Sequence, residues 1–293
     1  MLKKPLTPGR MQEFLALQRA ELTEHLIYTK IAAATKDPHN REVLSGIAGE
    51  ELNHYGIWKQ YTGQDVTPSI LLVWVYAIAA RILGLTFTLK ILERVEHRAQ
   101  DMDRMLPADI PEVAAILANE ERHERELIAL IDEERLKYVG SVVLGLNDAL
   151  VEFTGTLAGL TFAIQNSRII AVAGLIMGVA ASLSMAASEY LSQRTDDGPT
   201  DPFKAAVYTG CTYIATVTVL ILPFLLLSSP YMALMLTLCG AVCIIFLFTF
   251  YISVAKDLPF WRRFLEMAAI SLGIAAISFV IGVVIRVFLN VNV

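Results

Sequence analysis

Residues 144–192 read LGLNDALVEFTGTLAGLTFAIQNSRIIAVAGLIMGVAASLSMAASEYLS. Two long apolar segments lie back to back, separated by a short polar break at Gln165 to Arg168. Asp148 and Glu152 are four residues apart, as are Met185 and Glu189, so the members of each pair share a helix face. A charge inside an apolar segment costs several kcal/mol unless it meets a cavity, a partner or an ion. This stretch therefore predicts a membrane segment with a polar site within it.

Five apolar spans follow from this frame, at about 139–164, 169–191, 205–228, 231–255 and 265–289. Each is long enough to cross a bilayer. Arg135 and Lys137 precede the first span, Arg194 and Lys204 separate the second from the third, and Lys256, Arg262 and Arg263 separate the fourth from the fifth. The alternate connections carry only Arg168. Basic loops mark the cytosolic side, so the N-terminal region is expected in the cytosol and the C-terminus outside it. At 1.5 Å per residue, Asp148 and Met185 both fall roughly 14 Å deep. Glu189 lies nearer the cytosol and Glu152 nearer the far side. This ladder of Asp148, Glu152, Met185 and Glu189 joins carboxylate oxygens, suited to Fe²⁺ and Mn²⁺, with one softer thioether. Gly145, Gly155, Gly159, Gly174 and Gly178 permit close helix packing.

Asn147-Asp148 in a small-residue helix, followed by Ser184-Met185-Ala186-Ala187-Ser188-Glu189-Tyr190, resembles the vacuolar iron transporter family. Ser188 stands where that family usually has Gly. The resemblance implies a dimeric transporter with a cytosolic metal-binding region between spans two and three. Here that connection, SQRTDDGPTDPFK, is too short for one.

The rest of the chain differs in kind. Of 293 residues, the first 137 hold 17 of the 24 Lys and Arg, 21 of the 29 Asp and Glu and all five His. The mean hydropathy of +0.53 thus averages a charged half and an apolar half. The expected fold is all-α, with a soluble four-helix domain over 1–137 and a five-helix membrane domain over 138–293. A net charge of −4 over the first 137 residues, with both signs interspersed, gives no footprint for nucleic acid. Cys211, Cys239 and Cys243 all sit in apolar segments and imply no disulfide framework. No cleavable leader is apparent in MLKKPLTPGRMQEF.

Within the charged half, Thr7-Pro8 starts a first helix that runs to about Ala34. A second runs from about Arg41 to Tyr61, a third from Pro68 to about Met105, and a fourth begins near Glu112. Helix two carries Glu51-Leu52-Asn53-His54 and helix four carries Glu120-Glu121-Arg122-His123. Helix one offers Glu21 and Glu24, and helix three offers Glu93 and Glu96. One Glu-x-x-His is usually a solvated face. Two copies, each accompanied by a helix with an offset Glu, form the arrangement in which bridging carboxylates and imidazoles hold two cations. Glu21 versus Glu24, and Glu96 versus Glu93, stay open as alternatives. Residues 70–89 are apolar, but a crossing there would separate the two Glu-x-x-His halves. They are expected in the bundle, in a dimer contact or on the membrane surface.

Glu21 with Tyr28, Glu51-x-x-His54, Glu93-x-x-Glu96 and Glu120-x-x-His123 resemble the rubrerythrin and ferritin-like superfamily. The combination with the membrane half resembles the membrane-bound ferritin type. The resemblance implies a di-iron centre cycling between Fe²⁺ and Fe³⁺, with Mn²⁺ as the alternative metal. No Cys-x-x-Cys pair is present to hold a rubredoxin-type centre. The leading expectation is a homodimeric membrane transporter moving Fe²⁺ out of the cytosol in exchange for protons, its soluble domain collecting, sensing or oxidising iron. The competing one is a membrane-anchored ferroxidase or peroxidase, and a third is an iron sensor without flux. An anchor needs no intramembrane acids, which favours transport.

Overall fold

The computed structural model describes residues 7–103, 116, 119, 122–123, 137–195 and 200–289, without the side chains of 95–103 and 289. Among the described residues every regular element is helical. The chain divides into two compact units, Met1–Glu133 and Glu134–Val293.

In the first unit, α1 (Pro8–Ala34) and α2 (Pro38–Thr62) form a hairpin. Thr7 occupies the position before α1 but makes no side-chain cap there, so Pro8, pre-set in φ, marks the start. Helix two begins at Pro38 rather than near Arg41, because the Asp37 carboxylate accepts from Asn40 N at 2.8 Å. It ends where Gly63 adopts a left-handed φ of 66° and returns its N–H to the Lys59 carbonyl. Ile27, Tyr28 and Ile31 of α1 meet Leu44, Ile47 and Ala48 of α2 in one buried cluster. A second cluster joins Phe14 and Trp58 to Ile116.

The expected third helix is two helices. α3 (Ile70–Leu83) and α4 (Leu85–Asp103) break at Gly84, whose φ of 98° and ψ of 160° are closed to residues with a Cβ. The break folds the segment back, so that Val73 of α3 and Leu89 and Leu92 of α4 enter the same core. At 14 residues α3 spans about 21 Å, short of the roughly 30 Å of hydrocarbon. Its other face leaves Leu71, Trp74, Ile78 and Ile82 exposed.

In the second unit, α5 (Val139–Asp148), a π-helical turn (Ala149–Phe153) and α6 (Thr154–Ile164) form one continuous helical run. Asp148 and Thr154, which flank the turn, keep right-handed helical backbone. Four further helices follow: α7 (Ser167–Thr195), α8 (Pro202–Leu226), α9 (Pro230–Ala255) and α10 (Phe260–Leu289). These four are long and apolar enough to cross a membrane. The run 139–164 has comparable length, but the π turn divides it into shorter α-helices.

Close backbone approach organises the packing. A Cβ on Gly145 would stand 2.4 Å from the Thr209 carbonyl oxygen, so α5 lies directly on α8. One on Gly282 would stand 2.3 Å from the Gly159 carbonyl oxygen, so α6 lies directly on α10. Leu150, Phe153, Leu157, Tyr213, Val217 and Leu220 fill the space between them.

Gly84→Ala should destabilise the first unit by about 1–3 kcal/mol, the usual cost of forcing a Cβ into this backbone region. Thermal unfolding of the purified full-length chain reads this as a lowered midpoint. An unchanged midpoint would show that the α3–α4 corner tolerates a side chain.

Candidate functional site

Glu21 on α1 and Glu51 and His54 on α2 converge in the first unit. One ligand atom from each lies within 4.8 Å of the others. His54 Nδ1 is 3.3 Å from Glu21 Oε2 and 3.4 Å from Glu51 Oε2. His123 joins from the opposite side, with Nδ1 3.1 Å from Glu51 Oε1. The two imidazoles are stacked with centroids 6.1 Å apart. Glu51 and His54 are each only 1% exposed, the burial expected of charged groups only when they are paired.

The surroundings orient these groups. Trp58, one turn after His54, donates from Nε1 to Glu21 Oε1 at 3.0 Å. His123 Nε2 donates to Glu50 Oε2 at 2.6 Å, which turns its Nδ1 toward Glu51. Arg122 also bonds Glu50. Asn119 Nδ2 lies 3.3 Å from His54 Nε2. A carboxylate behind a ligand imidazole fixes its orientation and raises its basicity. Glu21 Oε2 and Glu51 Oε2 are buried and accept no hydrogen bond among the described residues. Two such oxygens beside two ring nitrogens fit a divalent transition cation in donor type.

Electrostatics separate the two acids. Burial pushes the Glu21 carboxyl up to about 8, assisted by the charge of Glu51 and opposed by His54. Burial also acts on Glu51, but the facing His123 and His54 rings and the Glu21 carboxyl overcome it and hold that carboxyl at about 2. Without a cation the pair therefore shares one proton at neutral pH.

The other expected ligands fare differently. Glu24 and Glu93 are half-buried and stand outside the group formed by Glu21, Glu51 and His54. Glu120 and the side chain of Glu96 lie outside the described residues. His25 is a structural link: its Nδ1 donates to the Ala48 carbonyl at 2.7 Å and ties α1 to α2.

In the second unit, Asp148 ends α5 and Glu152 lies inside the π turn. Asp148 is half-buried and Glu152 is exposed. Tyr213 of α8, fully buried, donates from Oη to Glu152 Oε2 at 3.2 Å. A buried phenol hydroxyl in an apolar helix needs a polar partner, and that need is the sequence signal for Tyr213, which no motif marks. Met185 is half-buried against the core cluster that contains Ala149 and Tyr213. Glu189 is buried near the end of α7, where Ser141 Oγ donates to it at 2.7 Å and Gln193 Nε2 at 3.1 Å. Thr209 Oγ1 in turn donates to the Ser141 carbonyl at 3.0 Å. The acids are thus in two places: Asp148 and Glu152 with Tyr213, and Glu189 with Ser141.

Residues 139–198 match the model of the VIT family. The match lies within the second unit. The matched segment contains Asp148, Glu152, Met185 and Glu189, together with the π turn. No curated protein matches the chain.

The raised Glu21 carboxyl makes stability depend on pH. Folded protein keeps this proton up to about 8, whereas an unfolded chain loses it near 4.5. Metal-free protein should therefore lose stability as pH rises from about 5 to 8, by at most about 1.4 kcal/mol per unit. Unfolding midpoints measured in chelator across that range should fall for wild type and fall less for Glu21→Gln. Parallel slopes would place the titrating group elsewhere.

Proposed function

We propose that this protein is a five-span membrane transporter that carries Fe²⁺, with Mn²⁺ as the alternative, out of the cytosol in exchange for protons. Its N-terminal unit is a ferritin-like bundle with a resident di-iron site. The observation that carries the transport reading is that Asp148 and Glu152 lie in an apolar helical run within the VIT match, where Tyr213 of α8 meets Glu152. Ionised acids in hydrocarbon cost a few kcal/mol each on insertion scales, and a divalent cation offsets that cost by pairing with them. When the cation leaves, protons neutralise the same carboxylates, and alternate occupancy by metal and proton is what antiport requires. Met185, with a softer sulfur, biases the path toward transition metals over Mg²⁺ or Ca²⁺.

The run 139–164 is the first span and α7 to α10 are the remaining four. Arg194, Lys204, Lys256, Arg262 and Arg263 then share the cytosolic side with the N-terminal unit, by the rule that basic loops stay inside. Glu189 sits toward that side and receives ions from the cytosol. The exposed apolar face of α3 supports a homodimer, because such a face needs cover.

For the N-terminal unit, Glu21, Glu51, His54 and His123 would hold iron, joined by Glu120 and by Glu96 or Glu93. Bound iron supplies one-electron redox chemistry, and the bundle would bind, sense or oxidise the ion before release. Glu50 and Trp58 would keep the ligand atoms aimed at it. The second reading, a membrane-anchored ferroxidase, draws on the same cluster and assigns no role to the intramembrane acids.

Flux measurements separate these readings. Full-length protein in proteoliposomes with a pH gradient should accumulate Fe²⁺, and Asp148→Asn should abolish that flux while the soluble site still loads. Met185→Leu should reduce flux less and narrow the preference of Fe²⁺ over Mg²⁺. Wild-type flux from Asp148→Asn would favour the anchored enzyme.

Replacing Glu51 and Glu120 by Ala in the full-length chain should lower tightly bound iron, measured by elemental analysis after desalting. An unchanged iron content would remove the di-iron assignment.

A further inference from the structure

The π turn at Ala149–Phe153 is held from outside its own helix. Ser271 of α10, 1% exposed, donates from Oγ to the Leu150 carbonyl at 2.8 Å. Thr154, fully buried, also donates from Oγ1 to the Leu150 carbonyl. The two hydroxyl oxygens are 3.3 Å apart. The backbone N–H of Thr154 turns instead to the Val151 carbonyl. Two side-chain hydroxyls thus stand at the Leu150 carbonyl in place of the backbone donor that an unbroken α-helix supplies. A carbonyl without a donor is costly in an apolar interior, so these hydroxyls stabilise the π turn against reversion to α-helix.

The turn matters because of what it carries. One extra residue in a turn rotates all that follows by about one helical step, roughly 100°. Before the turn Gly145 lies on α8, and after it Gly159 lies on α10. Glu152 is inside the turn, and its carboxylate meets Tyr213 Oη on α8. In a regular α-helix Glu152 would sit almost directly above Asp148 on the same face. The π geometry changes that spacing, and the phenol fixes one of the two acids.

We infer that Ser271, with Thr154, is a positioning residue for the intramembrane carboxylate pair: the two hydroxyls hold the π turn that sets Glu152 in its place relative to Asp148 and Tyr213. Ser271 touches neither carboxylate and acts only through the Leu150 carbonyl. The assignment rests on the transport reading above, and it gives α10 a part in the site through Ser271.

The test is Fe²⁺ uptake by full-length protein in proteoliposomes, with folding checked by size-exclusion profile and thermal midpoint. Ser271→Ala should raise KM for Fe²⁺ about tenfold or more, the usual range for losing a group that orients a metal ligand. Its Vmax should change less than its KM. Ser271→Thr keeps the hydroxyl and should restore KM to within about threefold of wild type. Thr154→Val keeps shape and removes the second hydroxyl, so it should raise KM as well and carries the test if Ser271→Ala fails to fold. A folded Ser271→Ala with wild-type KM and only a lower thermal midpoint would overturn the inference, because the serine would then serve packing alone. A KM raised equally in Ser271→Ala and Ser271→Thr would also overturn it. Asp148→Asn run alongside keeps the two levels apart. If that variant transports normally, the transport reading fails first. If it is inactive while the hydroxyl variants match wild type, only the role of Ser271 and Thr154 fails.

Discussion

A carboxylate withdrawn from water must find protons, hydrogen-bond donors or cations, and both units of this chain are arranged around that requirement. Glu21 and Glu51 meet it with two imidazoles, an indole and a shared proton. Asp148 and Glu152 meet it with less: one phenol and partial exposure. The surrounding helices are apolar because they must bury these groups, and closely packed because glycines at 145, 159 and 282 let backbones touch.

The two sites place different demands on the backbone. In the first unit regular α-helix suffices: Glu51, His54 and Trp58 recur at three- and four-residue intervals on one face of α2, and the ring of His123 is turned by Glu50. In the second unit regular helix does not suffice. A single rod from 139 to 164 has to lie on α8 through Gly145 and on α10 through Gly159, and these contacts are on different sides. The π turn reconciles them. Its location next to Asp148 and around Glu152 agrees with the frequent occurrence of such turns at functional sites.

Much of this was legible from residue spacing. The apolar spans are long, and length with composition is the strongest sequence signal for helices of this kind. Glu21, Glu51 and His54 come together because helical periodicity puts Glu51 and His54 on one face and the hairpin brings α1 beside it. What was not legible depends on tertiary context. Gly84 reads as a tolerated glycine inside an apolar helix, and only packing Val73 and Leu89 into the same core makes it a corner. Residues 149–153, ALVEF, hold no residue that demands a π turn; the demand comes from α10, more than a hundred residues later. Tyr213 and Ser141 were passed over because a lone Tyr or Ser in an apolar span is common, and only the facing acid gives it a role.

The donor sets also differ in what each can do with a cation. Two imidazoles and two buried carboxylates, with bonds already fixing their orientation, give a pre-organised site that loses little entropy on binding. That suits holding a divalent ion tightly. The acids Asp148 and Glu152 of the second unit offer oxygens alone, and Glu152 is exposed. Fewer and less enclosed donors bind more weakly, and conduction needs binding favourable enough to enter and weak enough to leave. If both units handle the same ion, the tight site belongs before the weak one only when some event loosens the first. Protonation is such an event, because Glu21 already favours its proton at neutral pH when no cation is present. On the transport reading proposed above, a proton at either site would ease release of a divalent ion where bare carboxylates are costly.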